Sequence, residues 1–335
     1  MWALDRFGKF VFALTVLAIL SPALANDINV TVRPVPFSNL DESRTKFGEL
    51  EYLGGLVLRS KKRVFGGFSG ILVNADGSRF IATSDRAWWF RAHLVHQNGR
   101  LTGIAAPTMG PLLNSKGKPF KRKRNQDAES IAFNGDRPED GILVGFEREP
   151  RIELYQNGIT GKSETIKVPK GLIKGPDNKE LEAVGRFTSG TNAGKLIAIS
   201  ERNLDKNGNV IGYLWKKSRK KAERFSIRRR QKYSITDVTI LEGGDIVLLE
   251  RRLGALKLPS VAMRLVAAKD LAGGGALDGR ILMEASAPGH SVDNMEGLSA
   301  HRDAAGRLIF TLISDDNFNR GVQRTLLMQF SWPGR

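Results

Sequence analysis

The sequence contains no cysteine, so disulfide bonds, thiol catalysis and zinc sites built from thiolates are all excluded. Histidine is scarce as well, with four residues in the chain. His93 and His96 are three residues apart in a predicted strand, so their side chains lie on opposite faces and form a poor metal pair. A nucleophile elbow of the form Gly-x-Ser-x-Gly is missing, because Gly67-Phe68-Ser69-Gly70 is one residue short of it. These absences leave carboxylates and arginines as the main candidates for chemistry.

Long apolar runs are also scarce, and the clearest one lies at the N-terminus. Phe10–Leu20 is apolar over about eleven residues, follows basic residues and is broken by Ser21-Pro22. Such a run is too short to span a bilayer comfortably, and Ala23-Leu24-Ala25 offers a small-x-small cleavage site. The pattern predicts a signal peptide over residues 1–25, cleaved after Ala25, and no twin arginine precedes the run. We therefore expect a periplasmic or secreted protein with no transmembrane segment after cleavage.

Basic residues outnumber acidic ones, 52 to 35, which gives the 335-residue chain a formal net charge of +17. Such a field attracts polyanions, and for an exported protein these are phosphorylated small molecules, lipid head groups or envelope polymers rather than nucleic acid. No aromatic side chains interleave with the basic clusters, which disfavours single-stranded nucleic acid. The clusters at 121–124, 216–221 and 228–230 are either a solvated face or a docking surface for an anionic envelope component.

One phrase occurs five times in the chain, at intervals of about 53–60 residues. Each copy begins with a small or acidic residue before an apolar one, continues through a turn rich in Gly, Asp or Asn, and ends as an apolar run followed by an acid. The copies are 69–86, 129–148, 182–202, 236–251 and 296–317. A period of this length is typical of a repeat architecture, which returns equivalent residues to one place.

The repeats predict a fold made of strands. Helical periodicity is weak throughout, and the apolar runs that follow the turns are typical of buried strands. These runs are 80–83, 142–146, 196–199, 246–249 and 308–313. Each repeat supplies a hairpin and has room for two further strands, which predicts an all-β propeller with five evident four-stranded repeats and five or six blades. We predict an extended lead-in over 26–46, a propeller domain over 47–335, and ring closure by pairing of Glu51–Leu58 with Leu326–Trp332.

The repeated acids form two sets. The first set opens the inner strands and consists of Glu129, Glu182, Asp237 and Glu296, with Ser69 in the first copy. The second set ends the apolar strands and consists of Asp85, Glu147, Glu201, Glu250 and Asp315. Inner strands line the central channel of a propeller, where gathered carboxylates repel one another unless calcium or neighbouring arginines neutralise them. Arginine follows four acids of the second set, so metal binding and ion pairing are equal alternatives there, whereas the first set favours metal.

The fifth repeat is the densest in oxygen ligands, and hard oxygen ligands without cysteine or paired histidine favour Ca²⁺ or Mg²⁺ over zinc. The predicted metal ligands are Glu129, Glu182, Asp237, Asn294, Glu296, Asp315 and Asp316. The catalytic candidates are Glu129, Glu296 and His290, which lies just ahead of the fifth copy. The candidate substrate-binding residues are the companion arginines Arg86, Arg148, Arg202 and Arg251.

Taken together, these phrases resemble the phytase-like family, described as having esterase-like activity of phytase. The resemblance covers about residues 50–332, and the phrases that carry it include Ser84-Asp85-Arg86, Asp127-Ala128-Glu129-Ser130-Ile131, Ser200-Glu201-Arg202, Asn294-Met295-Glu296-Gly297-Leu298 and Ser314-Asp315-Asp316-Asn317-Phe318. It implies a β-propeller, commonly exported, with phosphoester or ester hydrolase activity. The β-propeller phytases carry a calcium cluster and an Asp-Asp-Pro-Ala type phrase on an inner strand, where this chain has Asp127-Ala128-Glu129-Ser130.

Two functions fit these features. The first is a calcium-dependent phosphoester or ester hydrolase acting on an anionic small substrate, with Glu129 and Glu296 as metal ligands or general base. The second is a propeller without catalysis, in which the acids are structural and the basic loops bind an envelope polyanion or a protein partner.

Overall fold

We describe the protein from a computed structural model, which covers residues 25–135, 140–173, 181–216, 221–230, 233–253, 258–272 and 275–333. Residues 1–24, which carry nearly all of the predicted export signal, lie outside these ranges. Within the ranges, no helix has the length and hydropathy needed to cross a bilayer. Among the described residues, regular structure consists of β-strands and the short 3-10 segments Lys123–Asn125 and Ala268–Ala272.

The strands are numbered along the chain. They are β1 (Asn26–Asp27), β2 (Thr31–Pro34), β3 (Lys46–Phe47), β4 (Leu50–Arg59), β5 (Phe68–Val73), β6 (Arg79–Ser84), β7 (Trp88–Gln97), β8 (Arg100–Pro111), β9 (Ala128–Phe133), β10 (Ile142–Phe146), β11 (Arg151–Tyr155), β12 (Glu164–Ile166), β13 (Ala183–Arg186), β14 (Leu196–Leu204), β15 (Val210–Trp215), β16 (Glu223–Ile227), β17 (Ser234–Ile240), β18 (Ile246–Leu253), β19 (Pro259–Val266), β20 (Ala276–Leu277), β21 (Arg280–Ser286), β22 (Asn294–Arg302), β23 (Leu308–Asp315) and β24 (Thr325–Trp332).

These strands form five sheets, one for each repeat of the sequence. From the inside outward, blade 1 is β5-β6-β7-β8-β1, blade 2 is β9-β10-β11-β12, blade 3 is β13-β14-β15-β16-β20, blade 4 is β17-β18-β19-β21, and blade 5 is β22-β23-β24-β4-β2 with β3 beside β4. In each blade the second strand contains the predicted apolar run. Strands β10 and β23 are buried along their whole length, which explains why their sequences do not alternate with polar residues.

The five first strands contact one another in a closed circle. The contacts run from β5 to β9, to β13, to β17, to β22 and back to β5. This arrangement is a five-bladed propeller around a central channel, and the structure settles the blade number that the sequence left at five or six. Because all five inner strands begin on the same side, their first residues gather at one mouth of the channel and their last residues at the other.

Strands from both ends of the chain close the ring within blade 5. The predicted pairing is present, since β4 and β24 are antiparallel and Leu58 faces Thr325 while Val57 faces Leu326. The two short N-terminal strands pair on both sides of this seam, β1 with β8 of blade 1 and β2 with β4 of blade 5. Shared hydrogen bonding across the seam replaces a covalent closure of the ring.

Apolar side chains fill the spaces between neighbouring blades. Five clusters of buried residues correspond to the five interfaces between blades. The largest joins blades 4 and 5 and includes Leu249, Met263, Phe310 and Phe330. Because each blade packs against two others, the core is a continuous belt around the channel, and polar residues that face the channel are supported on rigid strands.

Candidate functional site

One residue near the start of most inner strands is out of register with the neighbouring strand. In blade 2, Ser130 faces Gly145 and Ala128 faces Phe146, so Glu129 between them forms a β-bulge. The pairing shifts in the same way in blades 1, 4 and 5. The bulged residues are Ser69, Glu129, Thr236 and Glu296. A bulge re-aims a side chain, and here it brings the inner-strand acids toward the axis.

Blade 3 places Glu182 at the matching position. Glu182 immediately precedes β13, and its N–H donates to Ile199 O at 3.0 Å although Ile199 also pairs with Ala183. Asp237, in contrast, is a paired strand residue that follows the bulged Thr236. The inner ring at this mouth therefore consists of Ser69, Glu129, Glu182, Thr236 and Glu296. Asp237 is displaced from this ring by one residue.

The ends of the second strands add a second ring beside the first. The Asp85 N–H donates to Gly67 O at 2.9 Å, and Asp315 faces Asn294 across the strand pair. In both blades, the acid at the end of the second strand faces a residue that precedes the inner-ring residue by two positions. Acids hold this position in blades 1, 2 and 5, as Asp85, Glu147 and Asp315, and in blade 3 Glu201 follows the paired Ile199 by two residues.

Blade 4 departs from this pattern. Arg251 faces Ser234, which is two positions before the bulged Thr236, so Arg251 rather than Glu250 occupies the second-ring position. Glu250 faces Ile235 and points to the other side of the sheet, where its Oε1 accepts a hydrogen bond from Arg264 Nη2 at 2.5 Å. Grouping Glu250 with the strand-end acids was therefore wrong by one residue, and the ring holds a guanidinium where a fifth carboxylate was predicted.

Two triads of carboxylates form where blades 2 and 3 meet at the axis. One carboxylate oxygen from each of Asp127, Glu129 and Glu147 lies within 4.8 Å of the other two. The same holds for Glu147, Glu182 and Glu201. Oxygens that bind one calcium ion at about 2.3–2.6 Å lie no more than about 5 Å apart, so either triad can share an ion. These five residues are called the carboxylate cluster below, and Glu147 belongs to both of its triads.

Burial and mutual repulsion raise the pKa values within the carboxylate cluster. Burial is the main cause for Glu129, and the neighbouring Asp127 and Glu147 raise its pKa further. The pKa of Glu182 is raised first by burial and then by Glu129, Glu147 and Glu201. Carboxylates in this situation retain protons at a pH where free side chains ionise, unless a cation takes the place of the proton.

Glu182 provides an independent sign that the cluster receives a cation. The residue is 7% exposed, and no hydrogen-bond donor or cationic side chain among the described residues contacts its carboxylate. The largest charged causes of its raised pKa are acids, and Arg251 is a nearby cation whose own pKa Glu182 helps to raise. A buried carboxylate without a partner is costly, so the fold retains this group for a ligand that the protein chain does not supply.

Glu296 lies across the axis from the carboxylate cluster and is held by two partners. Asn294 Nδ2 donates to Glu296 Oε1 at 2.7 Å, and Arg251 Nη2 lies 3.3 Å from the same oxygen. Burial raises the pKa of Glu296 to about 7, with Arg251 opposing that shift and Glu201 adding to it. A carboxyl group that exchanges its proton near neutral pH has the property required of a general acid or base.

Arg251 is a cation placed among these acids. It donates to Asn294 Oδ1 and pairs with Glu296, while its buried Nε has no hydrogen-bond partner in the described part of the chain. Burial lowers the pKa of Arg251, but the surrounding carboxylates outweigh burial and raise it, so the side chain stays charged. Arg251 therefore offers a fixed positive charge and an unused N–H at the mouth of the channel.

The remaining acids of the fifth repeat are engaged by backbone N–H groups. Asp315 accepts a hydrogen bond from Asn317 N at 2.6 Å. Asp316 Oδ1 accepts from Gly67 N at 3.0 Å and from Phe318 N at 3.1 Å. The fifth repeat, predicted as the densest oxygen set, thus has part of its oxygens in use, and the tight triads form between blades 2 and 3 instead.

The other predicted substrate arginines surround the same mouth, and each is already held by a neighbour. The pairs are Arg148 with Asp127, Arg202 with Glu201 at 3.5 Å, and Arg86 over the ring of Phe318 at 3.3 Å from its centroid. Ion pairing therefore neutralises part of the ring, which was one of the two alternatives for the strand-end acids. It leaves Glu182 without a cationic partner among the described residues.

The structure does not bring His290 to the carboxylate cluster. Its ring centroid lies 5.3 Å from that of Phe37 and 5.7 Å from that of Phe47, and its Nδ1 lies 3.2 Å from Ser286 O. These contacts place His290 in the aromatic packing that holds the N-terminal segment against blade 5.

Asp127, Glu147 and Glu201 were not among the metal ligands predicted from the sequence. A usable signal was present for Asp127, because residues two apart on a strand share a face and Glu129 was already selected. For Glu147 and Glu201, the adjacent arginines made ion pairing an equally good interpretation.

Asp237 links blade 4 to blade 5 through backbone hydrogen bonds. Its Oδ2 accepts from Leu298 N at 2.7 Å and its Oδ1 from Val238 N at 2.8 Å. We expect Asp237→Asn to lower the free energy of unfolding by about 1–3 kcal/mol, because the amide has one acceptor oxygen and one of the two N–H groups loses its partner. Urea unfolding in calcium and in chelator measures this loss, which should be equal in both. A loss confined to the calcium sample would show that Asp237 binds metal instead.

Comparison with known proteins supports the fold and identifies the family. A family model described as "Phytase-like: Esterase-like activity of phytase" matches residues 63–318. No curated protein matches the chain. Among solved structures, the catalytic domain of Coprinopsis cinerea GH62 alpha-L-arabinofuranosidase is similar with a TM-score of 0.51 and 12% identity, over 89% of this chain and 99% of that one. The β-propeller domain of Cps50 (Swd1) from Myceliophteria thermophila has a TM-score of 0.40 and 9% identity, over 92% and 99%.

At these identities the structural similarity concerns the fold alone. The family match is different in kind, because it spans most of the propeller and includes the inner-strand acids of blades 2, 3 and 5. The chain belongs to the phytase-like family.

Proposed function

We propose that the protein is a divalent-cation-dependent hydrolase of phosphoric or carboxylic esters, acting on an anionic small molecule at the acidic mouth of the channel. The observation that carries this proposal is the buried carboxylate of Glu182, which lies within 4.8 Å of those of Glu147 and Glu201 and forms no ion pair in the described part of the chain. Membership of the phytase-like family supports ester hydrolysis as the class of reaction.

Calcium is the cation that this ligand set fits best. The carboxylate cluster offers oxygen ligands alone, and calcium takes six to eight oxygens in flexible geometry. Zinc prefers nitrogen and sulfur ligands, and the cluster contains neither histidine nor cysteine. When bound, the cation neutralises the acids and polarises a phosphoryl or carbonyl oxygen of the substrate.

Charge at the mouth explains why a cation is required for an anionic substrate. The clustered carboxylates repel an incoming anion, although the chain as a whole carries a net charge of +17 that attracts it. Divalent cations bound to the cluster neutralise the carboxylates and so remove their repulsion of a substrate that reaches the mouth. Burial raises the pKa values of Asp85 and Asp127, and Lys123 lies close enough to oppose that rise, so it adds a positive charge at the rim.

Two residues of this chain have roles that follow from their contacts. Glu296, with a pKa near 7, takes a proton from the attacking water or returns one to the leaving group. Arg251 orients an anionic oxygen of the substrate through its unused Nε–H and holds Glu296 in place through the ion pair.

Hydrolysis of p-nitrophenyl phosphate and p-nitrophenyl acetate, each with calcium and after chelation, tests this function. We expect calcium-dependent turnover of at least one ester, and a reduction of kcat by about 10²–10⁴-fold in Glu296→Gln, because proton transfer by a positioned side chain contributes that much. The wild-type pH profile should show an inflection near pH 7 that the variant lacks.

Glu153→Gln is the matched control, since Glu153 is a buried glutamate of blade 2 that pairs with Arg151 outside the channel. It should lose stability but keep its calcium-dependent activity. Calcium binding without turnover of either ester would favour the second function considered from the sequence, a non-catalytic propeller. Turnover that is indifferent to calcium and to Glu296→Gln would contradict the proposal outright.

A further inference from the structure

A cavity opens at the mouth of the channel opposite the carboxylate cluster, where the inner strands end. Its volume is about 650 Å³, and it is lined by the last residues of all five inner strands. The carboxylate cluster lies at the beginnings of the same strands, so the two sites are separated by the length of the channel. The size is within the range of about 300–1,000 Å³ that is typical of sites for small organic ligands.

Apolar and polar side chains share the walls of this cavity. Phe133 of blade 2, Ile240 of blade 4 and Ala300 of blade 5 line it, and each is only half-buried. These side chains therefore expose apolar surface to a concave space rather than to open solvent. A ligand with an apolar body would remove that surface from water, which is favourable in proportion to the area covered.

Arg186, at the end of β13, brings a positive charge into the cavity. Its guanidinium is half-buried, and its Nη1 donates to the Asn134 side chain at 3.4 Å. No carboxylate of the described residues lies within ion-pair distance of Arg186. Arg302, which also lines the cavity, differs because its Nε lies 3.7 Å from Glu242. A half-buried guanidinium without a carboxylate partner is satisfied by an anion from outside the chain.

His301 supplies a neutral polar group on the same wall. The residue is 8% exposed, and its Nδ1 is buried without a hydrogen-bond partner in the described structure. Burial lowers the pKa of His301 to about 4, so the ring is uncharged at neutral pH and can take part in one further hydrogen bond. Gly77 packs against the other ring nitrogen, since a Cβ at that position would lie 2.4 Å from His301 Nε2.

We propose that this cavity binds a monocarboxylate with an apolar body, with the carboxylate on Arg186 and the body against Phe133, Ile240 and Ala300. One unpaired guanidinium matches one negative charge, and its planar N–H groups match the two oxygens of a carboxylate. The apolar patches, and Glu242 on the same wall, disfavour a polyanion, which would bring further charges away from water without partners. This site is independent of the proposed hydrolase function.

Isothermal titration calorimetry with sodium octanoate tests the proposal. Octanol and octylammonium serve as probes with the same body and either no charge or the opposite charge. We expect octanoate to bind and both other probes to bind at least about tenfold more weakly, as a charge-assisted hydrogen bond implies. Arg186→Gln should weaken octanoate binding by a similar factor, and Ala300→Trp should abolish it by filling the cavity.

Arg307→Gln is the matched control, because Arg307 lies on the same mouth, pairs with Asp303 and does not line the cavity. It should bind octanoate as the wild type does. Thermal melts establish that each variant is folded. Equal binding of octanol and octanoate, or octanoate binding that survives both Arg186→Gln and Ala300→Trp, would overturn the site, as would a wild-type protein that binds none of the probes. Addition of calcium should leave octanoate binding unchanged.

Discussion

In the absence of divalent cations, the protein should lose stability as the pH rises from about 5 to 8, and calcium should reduce that loss by taking the place of protons in the carboxylate cluster. Each carboxyl group with a raised pKa binds its proton more tightly in the folded chain than in the unfolded one. Its contribution is therefore fully present below the unfolded value, 4.5 for Glu296, and disappears as the pH rises through the folded value of about 7. A shift of that size corresponds to ~3 kcal/mol for Glu296, and Glu129 and Glu182 shift in the same direction.

His301 has the opposite effect on the stability of the protein. Its pKa is lowered to about 4, so its contribution to the free energy of unfolding increases as the pH rises from about 4 to 6.5. The diagnostic quantity is therefore the difference between thermal melts in calcium and in chelator at each pH. This difference should be small at pH 5, where protons compete with calcium, and should reach ~3 kcal/mol or more at pH 8 when calcium exceeds its Kd a hundredfold. Glu182→Gln should shrink the difference, and Glu153→Gln should not. Identical melts in calcium and chelator at pH 8 would falsify the metal site.

Arg264→Met should be among the most destabilising single substitutions in the chain, at about 3–5 kcal/mol. The Arg264 side chain is fully buried in β19, and it holds Glu250, whose side chain is 2% exposed. Without Arg264, the carboxylate keeps one cation, Arg230, at 3.6 Å. Burial already raises the pKa of Glu250, so the variant should take up a proton there and lose less stability in acid than at neutral pH.

The double variant Glu250→Gln with Arg264→Met removes both charges and should recover most of the lost stability, since replacing a whole buried pair is far less costly than breaking it. Urea unfolding of the two single variants and the double variant gives the coupling. A loss below about 1 kcal/mol in Arg264→Met, or no recovery in the double variant, would mean that this ion pair does not stabilise blade 4.

The fold could be predicted from the sequence because the features that determine it are local and repeated. Each apolar run is followed or preceded by a Gly, Asp or Asn turn, and five copies of one hairpin have few ways to bury their apolar faces other than in a ring. The exact number of blades could not be predicted from the sequence. Neither β4 nor β24 carries the repeated phrase, and the structure shows that both belong to blade 5.

The candidate site could be predicted only in part, because a shift of one residue moves a strand side chain to the opposite face. Leu249-Glu250-Arg251 reads like Ser84-Asp85-Arg86, yet the register places Arg251 and not Glu250 in the ring. The bulge at Thr236 has the same effect on Asp237. Bulges follow from how two strands pair, which is a long-range property, and the residues on one strand do not encode it by themselves.

The shared fifth blade sets the order in which the molecule can be completed. Residues 50–59 precede blades 2, 3 and 4 in the sequence, whereas their partner strand, residues 325–332, follows those blades. Blades 2, 3 and 4 consist of strands that are close together in sequence and can form as the chain elongates, whereas the seam is a contact between its two ends. Until the last strand arrives, β4 is an edge with unpaired N–H and C=O groups, and an unpaired edge invites the wrong partner. We expect the pairing of β24 with β4 to be the slow step in folding, and a chain that lacks β24 to remain an open and aggregation-prone arc.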